Sequence, residues 1–356
     1  MMHPLSAFAD RDPCAKDAGK PMSEHSPDSP APASVLAERG FEEEEAAEAD
    51  RLIEIALAED LPDGDRTSDT LFPDAVGCFP DGRRRGGWLL RARCVVRADG
   101  VVSGVPVVGR LFAALDPRVE VVVHRADGEA VREGDTIFEI SGPVASVLRG
   151  ERTALNFLGR LSGIASGVAC WVAVLRGSRA TLLDTRKTTP GWRRLEKYAV
   201  RCGGGTNHRG SLSDGILVKD NHREILAAGG IDEFATWTAA FRRDCVGEHL
   251  QVEVDDREGF LAARGCEVDS ILLDNFTADD LRWAVERNRE MSRPRPLLEA
   301  SGGIRLDSLS EIAATGVDRI SAGALTHSST SLDVSLETVG IDDAASASHS
   351  ARGVET

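Results

Sequence analysis

Six short apolar runs, each closed by charged, amide or glycine residues and each parted from the next by a helical stretch, constrain this chain more than anything else in it. The runs are ATLLDTRK, GILVKDN, LQVEVDD, SILLDN, LLEASGG and DRISAGA. Strands that alternate with helices must pair in parallel, because the helix carries the chain back to the same end of the sheet. The pattern predicts an α/β fold built on a parallel sheet or barrel. In a parallel barrel the carboxyl ends of the strands form the face on which catalytic sites are built. One charged residue at a strand end is commonly just solvated, but six runs in succession with the same ending favour an assembled site.

The ending residues sort by chemistry. Arg186, Lys187, His208, Arg209 and Lys219 are cationic or can become so, Glu253, Asp274 and Asp255 are anionic, and Ser301, Gly302, Gly303, Ala322, Gly323 and Ala324 are small. Arginine forks match carboxylates through paired charge-assisted hydrogen bonds. Carboxylates at neighbouring strand ends suit Mg²⁺, which takes one or two protein oxygens and completes its shell with phosphate oxygens and water. Small residues after the last two strands suit a phosphate, which lies close to backbone N–H groups there. An ordinary tight turn explains Gly302–Gly303 nearly as well. The densest block runs from Asp184 to His222, with two cation pairs, a glycine triplet and a further lysine. Gly203, Gly204 and Gly205 can merely end a helix, whereas His208, in the polar stretch TNHRGS, is not placed like a core histidine.

Upstream, Ala49, Leu52, Ile53, Ala56 and Leu57 recur at helical spacing and predict a helix from about Glu42 to Leu61. The runs WLLRARCVV, VEVVVHRA and DTIFEISG, set apart by ADG, ADGE and REGD, predict a small antiparallel sheet. A stripe of Leu155, Leu158, Leu161, Ala165, Val168, Val172 and Leu175 predicts a long core helix from Glu151 to about Arg176. Residues 1–40 and 341–356 are small and polar and predict disordered tails, and 77–87 predicts a loop insertion.

At 356 residues and 42% hydrophobic content, the chain can bury a substantial core. A formal charge of −16 opposes broad binding to nucleic acid, which needs an extended basic surface. The seven cysteines are scattered without a CxxC pair, as expected of reduced thiols in a cytoplasmic protein. The apolar stretch Val101 to Leu115 is broken by Ser103, Pro106 and Arg110, so no membrane association is expected from it. Asp10, Arg11 and Asp12 stand where an export signal would need an apolar run.

The stretches EDLPDGDRTSDTLFP, ERTALNFLGRLSGIAS, DTRKTTPG, EKYAVRCGGGTNHRG, LVKDNH, VEVD, ILLDN, EASGGI and GALTHS together resemble the quinolinate phosphoribosyltransferase family. The resemblance runs from about Glu48 to Leu336. It implies an N-terminal α/β sandwich domain over 41–160, completed by about 327–340, packed on an incomplete TIM-like α/β barrel over 161–326. It implies transfer of the phosphoribosyl group of phosphoribosyl pyrophosphate to quinolinate with decarboxylation, giving nicotinate mononucleotide, CO₂ and pyrophosphate in NAD biosynthesis. By the same resemblance, Arg152 reaches into the site from the partner subunit of a homodimer, and Thr185, Arg186, Lys187, His208, Arg209 and Lys219 form the quinolinate pocket. Lys187, Glu253 and Asp274 are the catalytic group beside the phosphoribosyl moiety, with Glu253 and Asp274 facing Mg²⁺, directly or through water. Ser301, Gly302, Gly303, Ala322, Gly323 and Ala324 cradle the phosphate, and no organic cofactor is implied. Ser211 and Trp192 depart from the commoner residues of the family, as does the long N-terminal tail. A related pyrophosphorylase of molybdate-transport operons would not need the whole Arg152, Arg186, His208, Arg209 and Lys219 set. A silent anion sensor would not need Lys187, Glu253 and Asp274.

Overall fold

The computed structural model describes residues 40–73, 77–78, 80, 84–85, 87–230, 234–292 and 294–343. The tail expected over 1–40 lies outside the described residues except for Gly40, and so does the expected tail from 344 onward. Within the insertion expected over 77–87, β1 (Gly77–Cys78) pairs antiparallel with β2 (Arg84–Arg85).

The chain enters through α1 (Glu43–Asp60), close to the helix expected over Glu42 to Leu61, and then α2 (Arg66–Leu71). The three β-rich runs form β3 (Trp88–Val96), β5 (Glu120–Val123) and β7 (Thr136–Pro143), as their alternation predicts. Between them lie β4 (Gly100–Val101), α3 (Val105–Leu115) and β6 (Ala130–Val131). In β3, Leu90, Ala92, Cys94 and Val96 are buried while Arg91 and Arg93, with Arg97 just past its end, face acidic partners on a later strand. That strand, β14 (Val334–Asp343), completes an antiparallel sheet of order β14-β3-β7-β5. Ile341, Asp342 and Asp343 pair with Leu90, Leu89 and Trp88. This corrects the expected tail boundary at 341: backbone pairing along β3 extends order past the last strongly apolar stretch.

The long helix is α4 (Val144–Val174), beginning about two turns before the expected start at Glu151. Its length and apolarity would suffice to cross a bilayer, but Leu155, Leu158, Leu161, Ile164 and Val168 are buried in the core. It also runs through the boundary expected at 160/161, so the segments on either side share one rigid element. The returning C-terminal segment lies against it at Gly163, where a Cβ would stand 2.0 Å from the Thr330 carbonyl oxygen. Only glycine admits so close an approach, and that approach delivers β14 back to the sheet.

The six announced runs form β8 (Thr181–Leu183), β9 (Ile216–Val218), β10 (Leu250–Val254), β11 (Ser270–Asp274), β12 (Leu297–Ser301) and β13 (Arg319–Ser321). All pair in parallel, in the order β8-β13-β12-β11-β10-β9. No ladder joins β8 to β9, so the barrel is incomplete. On that side a single bridge ties Leu183 to Thr206. Outward residues such as Val252, Ile271, Leu273, Leu298 and Ile320 are buried, while the inward face carries Gln251, Glu253, Ser270, Glu299, Arg319 and Ser321. The register sets one interior tier through Glu253, Leu272, Glu299, Arg319 and Thr181, with Asp274 paired to Ser301 nearer the carboxyl-terminal rim. Intervening helices include α5 (Arg193–Cys202), α6 (Asp220–Ala228), α7 (Phe234–Asp244), α8 (Arg257–Arg264), α9 (Ala278–Arg289), α10 (Leu309–Ala314) and α11 (Ala324–His327).

Candidate active site

Asp184, the first residue past β8, is 0% exposed and organises the cationic end of the rim. Its carboxylate accepts from Lys197 Nζ at 2.5 Å, Asn207 Nδ2 at 2.6 Å and the His208 amide at 2.8 Å. Lys197 also donates to the His208 carbonyl at 2.8 Å, and Asn207 to the Lys197 carbonyl at 2.9 Å. Arg201 continues outward, donating to Asn207 Oδ1 and to Glu45 Oε1 of α1, both at 2.9 Å. A buried charge is tolerable only when paired and fully hydrogen-bonded, and this lattice meets that condition. It ties the loop after β8, which carries Thr185, Arg186 and Lys187, to the loop carrying His208 and Arg209.

The consequence is electrostatic. Burial and the like charge of Arg186 pull the Arg209 guanidinium below its ordinary pKa, with Asp214 opposing. Arg186 Nε is buried without a hydrogen-bond partner in the structure. Two guanidiniums held close, one with an orphaned donor, are a site prepared for an anion. His208 packs below them, with Nε2 3.0 Å from Gln251 Oε1.

The acidic end adjoins them. Lys219 Nζ lies 3.2 Å from Glu253 Oε2, so the lysine joins the cationic and acidic halves of the rim. Burial raises the Glu253 carboxyl above its ordinary pKa; Lys219 opposes this, and the nearby charges of Asp274 and Asp220 add to it. Asp255 does not join this group: it is exposed and lies 3.8 Å from Arg223. Asn275, next to Asp274, has φ 57, and among the described residues it is the one non-glycine with positive φ. Its amide donates to the Ser301 carbonyl at 2.9 Å and its Nδ2 to Asp274 Oδ2 at 2.7 Å. Gly302, at φ 86, sits so close that a Cβ would fall 2.3 Å from Asn275 Oδ1. Backbone held in a sparsely populated region clusters at functional sites, and here it locks the aspartate onto the loop of small residues.

Lys187 closes the circuit. Its carbonyl accepts from Thr326 Oγ1 at 2.8 Å, and a Cβ on Gly323 would meet its Cδ at 2.8 Å and His327 Nε2 at 3.1 Å. The loop 322–324 therefore lies beside a lysine and an imidazole, while Gly302 and Gly303 of the loop 301–303 lie against Asn275. Arg152 stands apart: it is exposed on α4, and the described hydrogen bonds and ion pairs give it no partner. A cavity of about 920 Å³ opens along the seam, lined by Leu183, Arg193, Leu217 and Gln251, and reaches the rim at His208 and Arg209. Glu253, Asp274 and Gly323 do not line it, so converging charge, not this hollow, defines the site.

Sequence reasoning missed the supports: Asp184, Lys197, Asn207, Gln251, Glu299 and His327. Glu299 and Gln251 carried a readable signal, each being a polar residue inside a strand otherwise buried on both faces.

Only a small, multiply anionic ligand satisfies such a rim, which places the chain among barrel enzymes that act on carboxylate and phosphate substrates. The comparisons narrow the class. The chain matches the model of the quinolinate phosphoribosyl transferase N-terminal domain over residues 86–162 and that of the C-terminal domain over 164–337. It is 38% identical over 289 residues to the probable nicotinate-nucleotide pyrophosphorylase (carboxylating) of Bacillus subtilis, covering 81% of this chain and 92% of that one. It is 40% identical over 257 residues to the nicotinate-nucleotide pyrophosphorylase (carboxylating) of Mycobacterium leprae, covering 70% and 87%. The solved structure of the nicotinate-nucleotide pyrophosphorylase from Francisella tularensis matches with a TM-score of 0.71 at 35% identity, over 82% of this chain and 96% of that one. The chain belongs to the quinolinate phosphoribosyltransferase family.

Because its pKa is raised, protonated Glu253 adds a stability that is complete below the unfolded pKa and is lost as pH rises through the folded value. At neutral pH the ionised carboxylate is a net burden on the fold. Replacing Glu253 with Gln is expected to lower kcat/KM by about 100-fold or more while raising the thermal midpoint at pH 7.5 by roughly a few degrees. That gain should vanish near pH 4. A lowered midpoint at neutral pH, measured by scanning calorimetry, contradicts the assignment of strain to this carboxylate.

Proposed function

We propose that this chain carries out the reaction of its family on the rim described above, transferring the phosphoribosyl group of phosphoribosyl pyrophosphate to quinolinate with loss of CO₂. The observation that carries the site assignment is the buried Arg186 Nε without a hydrogen-bond partner, on a guanidinium whose charge is felt by Arg209. Quinolinate bears two adjacent ring carboxylates, and two guanidiniums with Lys219 match that charge. Thr185, Lys187 and His208 border the same pocket. A ligand with one carboxylate leaves a cation unmatched, an omission that lowers selectivity-determining binding by up to ~10⁴-fold.

Held there, the pyridine nitrogen attacks the anomeric carbon as the bond to pyrophosphate breaks and its electrons leave with the pyrophosphate. Fixing the two reactants contributes up to roughly 7–11 kcal/mol. Glu253 and Asp274 stabilise positive charge developing on the ribose. The ring nitrogen, now quaternary and cationic, stabilises the electron pair left when the adjacent carboxylate departs as CO₂, and a proton from solvent completes nicotinate mononucleotide. That ring supplies the electron sink, so no organic cofactor is invoked.

Two neighbouring carboxylates, with Glu253 already disfavouring its own ionisation, fit Mg²⁺. Among the described residues no third His, Cys, Asp or Glu completes a protein cage, which suits an ion that keeps water and phosphate oxygens. When bound, Mg²⁺ supplies neutralisation of the pyrophosphate leaving group. Lys187, His327 and the backbone of 301–303 and 322–324 receive the 5-phosphate, with Gly323 set close against Lys187 and His327.

Arg152, exposed and without a partner among the described residues, serves the site of a second subunit in a homodimer. We place the protein in the cytoplasm, in keeping with its scattered cysteines without a CxxC pair.

Purified protein given quinolinate, phosphoribosyl pyrophosphate and Mg²⁺ should release CO₂ and pyrophosphate, and nicotinate in place of quinolinate should give no comparable product. Tight binding of both compounds without turnover would identify an anion sensor instead. For the shared site, inactive Arg152→Ala and Lys219→Ala variants, mixed under subunit exchange, should regain part of the wild-type rate. Verified mixed dimers that stay inactive would remove Arg152 from the neighbour's pocket.

A further inference from the structure

Below Arg209, inside the barrel, lies a buried polar chain that none of the steps above uses. Glu299 on β12 is 0% exposed and Gln251 on β10 is 2% exposed. An isolated carboxylate in such a place is expensive, yet Glu299 is well supplied with donors. Burial pushes its carboxyl up, but the neighbouring His208, Ser321 and Gln251 outweigh this and hold it below its ordinary value.

The order of contacts gives the chain a direction. Gln251 Nε2 donates to Glu299 Oε2 at 2.9 Å. An amide has one donor end and one acceptor end, so fixing its nitrogen on the carboxylate turns Gln251 Oε1 toward His208, where it lies 3.0 Å from Nε2. Glu299 Oε1 lies 3.4 Å from the same nitrogen and has no hydrogen bond of its own. Across the ring, His208 Nδ1 accepts from the Arg209 backbone N–H at 2.7 Å. A ring nitrogen that accepts carries no proton, so the proton sits on Nε2, where Gln251 Oε1 receives it. Both nitrogens of His208 are thereby engaged by the protein in the substrate-free state.

We infer that Glu299 and Gln251 are positioning residues for the quinolinate pocket, orienting the His208 imidazole and, through its Nδ1, fixing the backbone from which Arg209 reaches its ligand. The inference rests on the quinolinate reading of that pocket and adds two residues from the barrel interior to it. The relay ends on the main chain of Arg209, so it governs where the guanidinium stands, not whether it is charged. Its loss should weaken the hold on the dicarboxylate more than the hold on the phosphoribosyl group.

Two measurements test it. In substrate-free wild-type protein, ¹⁵N NMR of His208, assigned by its disappearance in His208→Gln, should show a protonated Nε2 and an unprotonated Nδ1. The Gln251→Leu variant should raise the KM for quinolinate by roughly tenfold or more and leave the KM for phosphoribosyl pyrophosphate within about twofold. A proton on Nδ1, or two KM values that move together or not at all in a folded variant, overturns the proposal. Should Gln251→Leu fail to fold, the wild-type tautomer still decides. Wild-type protein that makes no nicotinate mononucleotide would count against the quinolinate reading, and the tautomer would still be measured independently of it.

Discussion

The buried contact between Asp184 and its donors, Lys197, Asn207 and the His208 amide, is the interaction on which the rest of the site depends. An open barrel leaves its first and last strands without a mutual ladder, and here the strand pairing of segment 206–209 among the described residues is the bridge of Thr206 to Leu183. The lattice around Asp184 supplies what the missing ladder does not. It anchors two loops bearing like charges, which in isolation would separate. Removing one partner of such a buried pair typically costs about 3–5 kcal/mol, so the two loops are firmly tied where Arg209 feels the like charge of Arg186.

A second constraint acts through the strands. Parallel register places Glu253, Glu299 and Arg319 on one interior tier and Asp274 beside Ser301 nearer the rim. The polar interior thus forms continuous tiers under the mouth. The carboxylates at the acidic end gain a cation at Lys219, and the strained Asn275 couples Asp274 to Gly302. Strain, desolvation and like-charge crowding are concentrated at the rim, while α4 and the apolar outer face of the sheet supply the compensating stability.

Much of this was legible in the sequence because it rests on periodicity. The six runs, the antiparallel trio and the α4 stripe each follow a two-residue or 3.6-residue period, and each formed where expected, although α4 begins at Val144 rather than Glu151. Rim residues were legible because Arg186, Lys187, Lys219, Glu253 and Asp274 interrupt apolar patterns where only exposed or paired groups are tolerated. Illegible parts depend on contacts distant along the chain. Nothing local marks Lys197 as the partner of Asp184, or Arg201 as a link from Asn207 to Glu45, since both sit in a charged helix that looks solvated. The extension of β14 to Asp343 was hidden for the same reason: its order comes from β3, not from its own composition.

The most direct measurement of the central claim is titration calorimetry of the substrate-free protein with quinolinate and with nicotinate, in wild type and in Asn207→Ala. A rim whose two guanidiniums are held together for adjacent carboxylates predicts binding of quinolinate tighter by about 100-fold or more, and a gap that shrinks when Asn207 is truncated. Equal affinities for the two ligands in wild type would contradict it.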